Sequence, residues 1–129
     1  MIEVDVVGVR VEMPSNQPIV LLRQSGSIRY LPIWIGAVEA TAIAFAQQGI
    51  LSSRPMTHDL LLHALKSLGS DIKEIHLTEL KDGIFYASLI LLGGEEVSAR
   101  PSDAIALALR AGAPILATEE LFNQAGLEI

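Results

Sequence analysis

Glu39-Ala40-Thr41-Ala42-Ile43-Ala44 is answered in the second half of the chain by Asp103-Ala104-Ile105-Ala106-Leu107-Ala108. Each stretch sets a carboxylate ahead of a run with alanine at every second position and little polar surface. A helix without a polar face is buried on every side. Small alanine side chains also let neighbours close in, which predicts these two helices at the centre of the molecule or of its dimer. A second echo follows in the same order, Thr57-His58-Asp59-Leu60-Leu61 against Thr118-Glu119-Glu120-Leu121-Phe122. Residues 1–70 and 71–129 therefore read as diverged copies of one unit.

The remaining patterns fit two such units. Residues 2–13 alternate as a strand that changes phase near Val6-Val7-Gly8, where a bulge is expected. Pro14-Ser15-Asn16 turns the chain into Ile19–Arg23, and Ser25-Gly26 into a third strand, Ile28–Ile35. Helices follow at 37–48, ended by Gly49, and at 58–68, with Thr57 as its N-cap and Gly69 as its stop. The second helix should lie at the surface with Leu61, Leu65 and Leu68 turned inward. The second half repeats the order. Strands Ile72–Leu80 and Ile84–Leu92 flank an Asp82-Gly83 hairpin turn. Glu95–Ala99 follows, then a helix capped by Ser102 that runs to about 111. A short extended piece, Pro114–Ala117, precedes a last helix at 119–125. Three strands and two helices per half predict a single α+β domain, residues 1–129, with a largely antiparallel sheet.

Composition bounds the function. The 129 residues suffice for one core, burying roughly two thirds of the unfolded surface. Nine Lys plus Arg against 15 Asp plus Glu give a net charge of −6 and a pI near 4.9. That balance argues against gripping nucleic acid through a broad cationic surface. With no cysteine, disulfides, thiolate zinc sites, iron–sulfur clusters and a cysteine nucleophile are excluded. Half the residues are hydrophobic and only 19% charged, and the mean hydropathy is +0.44. So little charge predicts apolar surface buried against a second copy, a homodimer. No run is long enough to span a bilayer. Glu3 and Asp5 stand where a signal peptide needs basic residues, which predicts a cytoplasmic protein.

Three clusters carry chemistry. Arg100-Pro101-Ser102-Asp103 puts a guanidinium at a strand end and a carboxylate in the first turn of a buried helix, facing free N–H groups and the positive dipole end. The cluster reads either as a cap with an ion pair, or as Arg100 holding a phosphate while Asp103 binds a metal or activates water. Glu39 holds the equivalent place in the first half. Related by a pseudo-twofold, Glu39 and Asp103 would meet near the axis, and two carboxylates suit Mg²⁺ or Mn²⁺. Arg54-Pro55-Met56-Thr57-His58-Asp59 reads either as a capping segment or as an imidazole acid–base group with Arg54 and Thr57 on a phosphate and Asp59 beside it. His76, inside a strand, reads as a surface or packing residue, and Trp34 as a core residue rather than a base-stacking platform. No GxGxxG, Walker loop, GxSxG elbow, HExxH pair or basic recognition helix occurs.

Taken together, Leu31-Pro32-Ile33-Trp34-Ile35-Gly36 with Glu39-Ala40, then Arg54 through Leu61, then Arg100 through Arg110, resemble the bifunctional nuclease family in its compact bacterial form. Asp5-Val6-Val7-Gly8-Val9 resembles its opening. The resemblance covers nearly the whole chain in order. It implies a duplicated β3α2 unit with a single barrel-like sheet, and activity on both RNA and DNA. Glu39, Arg54, Thr57, His58, Asp59, Arg100, Ser102 and Asp103 fall on its motifs and are the candidate positions.

Two functions are weighed. The first is a nuclease of little sequence preference acting on RNA and DNA: Asp103 and Glu39 would be metal ligands or water activators, His58 and Asp59 proton-handling groups, and Arg100, Arg54, Ser102 and Thr57 substrate ligands, with Mg²⁺ or Mn²⁺ assisting. The second is a non-catalytic oligomeric module that binds a protein partner or a small anion through Arg-Pro turns. The acidic charge favours the module and the resemblance favours the nuclease.

Overall fold

A computed structural model describes residues 1–128. The chain runs β1 (Ile2–Glu12), β2 (Gln17–Gln24), β3 (Arg29–Trp34), α1 (Ala37–Gln48), α2 (Thr57–Ser67), β4 (Ile72–Lys81), β5 (Ile84–Leu91), β6 (Glu96–Ala99), α3 (Pro101–Ala111), β7 (Ile115–Ala117), α4 (Glu119–Ala125) and β8 (Leu127–Glu128). Local signals placed most of these. The alternation in β1 breaks between Val6 and Gly8, where the pairing with β2 shifts register. Asp82 and Gly83 both take positive φ, 53° and 77°, the two-residue turn whose twist matches the flanking strands.

The strands form one sheet in the order β6-β5-β4-β7-β1-β2-β3-β8. Each half contributes a three-stranded antiparallel meander. The short β7 joins them, antiparallel to β1 and parallel to β4. The sheet is open, with β6 and β8 as edges among the described residues, which corrects the expected barrel-like closure. Only three residues of β7 bridge the two meanders, and no strand links β6 back to β3.

Alternation turns Val20, Leu22, Leu31 and Ile33 of one meander and Ile75, Leu77 and Leu89 of the other into one core. Helix α3 packs on β4 and β5, and both α1 and α2 pack on α3. As expected, α3 is buried nearly all round: Pro101, Ser102 and Ala104 through Ala108 are inside. Helix α1 departs from expectation. Ala40, Ala42 and Ile43 are buried, but Val38 is 75% exposed. It lies outside α3 on β1 and β2, so only one side finds neighbours. Helix α2 lies at the surface but is rotated from the predicted facing: Leu62 is its buried residue, while Leu61 and Leu68 are exposed. An ion pair explains the rotation, since Arg110 Nε of α3 reaches Asp59 Oδ1 at 2.9 Å and pulls the Asp59–Leu62 side inward. Trp34, expected in the core, is 53% exposed, because its neighbours Ile33 and Ile35 take the inward positions at that strand end.

Candidate functional site

The first turns of α1 and α3 and the start of α2 converge on one cluster. Asp103 Oδ1 lies 2.9 Å from His58 Nε2. Its other oxygen, Oδ2, accepts from Arg100 Nε at 2.9 Å and lies 2.8 Å from Arg100 Nη2. The same Nη2 stands 3.8 Å from Glu39 Oε2. Arg100 and Asp103 stand three residues apart, and the packing of α1 and α2 on α3 brings Glu39 and His58 to them. Glu39 and Asp103 each sit in a first helical turn, where the dipole favours a carboxylate. Burial raises the Asp103 carboxyl, but the hydrogen bonds from His58 and Arg100 outweigh it and hold the group below the usual carboxylate range. Arg100, bonded to Asp103, is held above its ordinary value.

Charge fixes the hydrogen-bond direction. An ionised carboxylate only accepts, so His58 donates from Nε2 and keeps Nδ1 free to accept a proton. Arg100 is 66% exposed at its side chain, and Nη1 has no protein partner among the described residues.

Two clefts meet along Glu39 and Arg100. One, of about 620 Å³, is bordered by Thr57, His58 and Asp103, with Met56, Leu61 and Leu89 among its apolar walls. The other, of about 380 Å³, is bordered by Trp34, Phe85 and Ser102.

The other candidates lie elsewhere or are committed. Asp59 accepts from Met56 N through Oδ2 at 3.0 Å and from Arg110 through Oδ1, so both its oxygens hold α2 in place. The helix N-cap is Met56 rather than Thr57, and Thr57 makes no capping bond. On α3 the N-cap is Arg100, with Pro101 in the first turn; Ser102 is buried without a capping bond. Pro101 supplies the fixed φ of the first helical position, which moves the cap two residues upstream of Ser102. Arg54 is exposed in the α1–α2 loop, borders neither cleft, and has no ion pair among the described residues. His76 bonds Glu74 on β4. The cations do not gather on one face: Arg29 is tied to Glu119 of α4 at 2.6 Å and Arg110 to Asp59.

A divalent cation needs several oxygen donors turned on one point. Among the described residues no three His, Asp or Glu side chains are grouped to hold a metal ion. The Arg100 guanidinium stands between the two carboxylates that would share the ion. As arranged, this donor set does not fit Mg²⁺ or Mn²⁺. No helix of the described residues is long and apolar enough to cross a membrane.

Gly36 fits Glu39 to its place. A Cβ there would collide with Glu39 Oε1, the mobile end of a flexible side chain. Gly36→Ala is therefore expected to change stability by less than about 1 kcal/mol while turning Glu39 away from Arg100. Thermal unfolding should show little shift, while a structure of the variant should show the Glu39 carboxylate turned from Arg100. A Gly36→Ala structure with Glu39 still beside Arg100 would remove this role.

Sequence reasoning missed Trp34 and the walls given by β5 and β6. Trp34 had one usable signal, its place just ahead of the Gly36–Glu39 helix start. The sheet walls had none, because only pairing register puts them there.

Comparison with known proteins places the chain among relatives in sequence. The family description Bifunctional nuclease domain matches residues 20–129. Uncharacterized protein Rv1829 and Uncharacterized protein MT1877, from two strains of Mycobacterium tuberculosis, are each 54% identical over 127 residues, covering 98% of this chain and 77% of theirs. Bifunctional nuclease 1 of Oryza sativa subsp. japonica is 27% identical over 120 residues, covering 88% of this chain and 36% of the rice protein.

Proposed function

Because the chain belongs to the bifunctional nuclease domain family, we propose that the His58–Asp103–Arg100 cleft hydrolyses phosphodiester bonds in RNA and DNA with little sequence preference. The observation that carries this reading is the 2.9 Å contact between His58 Nε2 and Asp103 Oδ1. Asp103 fixes the tautomer and orientation of the ring and stabilises the imidazolium. His58 Nδ1 takes a proton from the attacking water as its oxygen bonds phosphorus. The bond from phosphorus to the leaving sugar oxygen breaks, and that oxygen regains a proton from the imidazolium. Arg100 offers Nη1 to the phosphate oxygens as charge builds on them. Glu39 holds the guanidinium from the other side, and Asp59 keeps α2, and with it His58, in register.

Assistance by Mg²⁺ or Mn²⁺ is the second reading; it requires the Arg100 guanidinium to leave its place between Glu39 and Asp103, and the charge of the cluster is what supports it. Two carboxylates against one guanidinium leave the Glu39–Arg100–Asp103 group net negative, which repels a phosphodiester. The same proposal includes a duplicated ancestry of the two halves and a cytoplasmic homodimer. A single chain leaves Leu51 at 92%, Leu68 at 84% and Val38 at 75% exposure, apolar area that a second copy would cover.

The test uses extensively purified protein and a His58→Gln variant taken through the same purification. Both are assayed on single-stranded RNA and DNA in EDTA, in Mg²⁺ and in Mn²⁺. Wild type is expected to cleave both nucleic acids, and the variant to be slower by at least about a hundredfold. Equal rates would take the cleft out of the reaction. Cleavage confined to the metal arms would favour the second reading, and no cleavage in any arm would favour a non-catalytic binding module.

A further inference from the structure

We propose that the groove beside Trp34 is a nucleobase subsite, which seats one unpaired base of single-stranded RNA or DNA while Arg100 holds the neighbouring phosphate. The role given to Arg100 rests on the phosphodiesterase reading above; the stacking role of Trp34 does not.

Trp34 ends β3 and is 53% exposed, costly for a residue with so large an apolar side chain. Phe85 and Ile84 of β5 line the same groove, as does Arg100. Ile84 is itself 57% exposed, so the groove is an apolar slot open to solvent. Aromatic faces hold unpaired bases by stacking, whatever the base, which suits cleavage without sequence preference. A paired base is already stacked within its duplex and cannot lie on the ring without being extruded.

Arg100 and Glu39 both line the groove, and the exposed guanidinium beside the ring chooses a nucleotide over an uncharged occupant. The groove's cation is Arg100, with its Nη1 free. A second cation lies on the same sheet face. Trp34 pairs with Ile19 and Ile19 with Arg10, so the three form one row across the strands, with Arg10 about 10 Å from Trp34 along it. Arg10 is exposed and has no ion pair among the described residues.

Trp34 is the only tryptophan of the chain, so its fluorescence reports the subsite directly. A short oligothymidylate with cleavage-resistant phosphorothioate linkages is titrated into wild type, beside a self-complementary duplex of the same linkage. Saturable quenching by the single strand and little by the duplex are expected. Trp34→Ala should raise KM for single-stranded substrate about tenfold, and Trp34→Phe should restore most of it.

Unchanged fluorescence with the single strand, or equal quenching by the duplex, would overturn the proposal. So would a fluorescence change that follows protein concentration without nucleic acid, since Trp34 would then face a second copy of the chain. Quenching by the single strand in a protein that cleaves nothing would keep the subsite and discard the nuclease.

Discussion

Asp103→Asn is expected to slow cleavage of RNA and DNA by about a thousandfold, within the range seen when a proton-transferring group is disabled. The replacement keeps the shape but removes the charge, and its amide presents N–H groups where Asp103 only accepts. His58 then loses the partner that keeps Nδ1 free, and Arg100 loses the carboxylate that holds its Nε and Nη2. The effect should fall on kcat. A variant within threefold or so of wild type would show that the pair does not act in the reaction. The same substitution has a signature in stability. Burial raises the Asp103 carboxyl, and the bonds from His58 and Arg100 lower it further than burial raises it, so its folded pKa lies below the unfolded one. Such a group stabilises the fold fully above the ordinary carboxylate range and loses that contribution as pH falls through the depressed value. Asn titrates nowhere. The gap in melting temperature between wild type and Asp103→Asn should therefore be widest near neutrality and shrink in acid below the ordinary carboxylate range. A gap that stays constant throughout would mean that the Asp103 charge does not contribute to stability.

What could be read in advance divides along the range of the forces involved. The Asp82-Gly83 turn, the phase change near Gly8 and the helix limits at 37–48 and 119–125 are set by neighbours in sequence, and they stand where the periodicity put them. The burial of α3 was also legible, because Ala104 through Ala108 have no polar residue to turn outward. Long-range packing was not legible. The open sheet depends on three residues of β7 slotting between β1 and β4, and a run so short carries no periodicity. The facing of α2 depends on Asp59 reaching Arg110, a pairing across two helices. The site shows the same division. Residue types and helix starts named Glu39, His58, Arg100 and Asp103. Their grouping around one guanidinium came only from the packing of α1 and α2 on α3. Trp34 was misread because hydrophobicity alone favours the core, whereas strand alternation had already assigned the inward positions to Ile33 and Ile35.

Ile105→Ala is expected to destabilise the protein by about 3 kcal/mol, the cost of lost burial plus the cavity left behind. That corresponds to a fall in melting temperature of about 10 °C for a domain of this size. Ile105 is fully buried at 0% exposure, on the helix that packs against α1, α2, β4 and β5 together. The helix is held by four elements at once, so little of the cavity can collapse. Val38→Ala removes an apolar side chain from α1 but should cost no more than about 0.5 kcal/mol, since Val38 already stands 75% in water. Thermal unfolding of the two variants side by side separates the central helix from the outer one. Comparable losses would mean that α1 is as enclosed as its sequence suggested. The Ile105 variant also bears on the site, because Asp103 stands two residues earlier on the same helix. At a temperature where it remains folded, cleavage should stay near the wild-type rate, since Arg100, His58 and Glu39 fix Asp103 from outside the cavity. A large loss of activity in the folded variant would instead mean that core packing beneath α3, rather than the ion pairs above it, sets the geometry of the cleft.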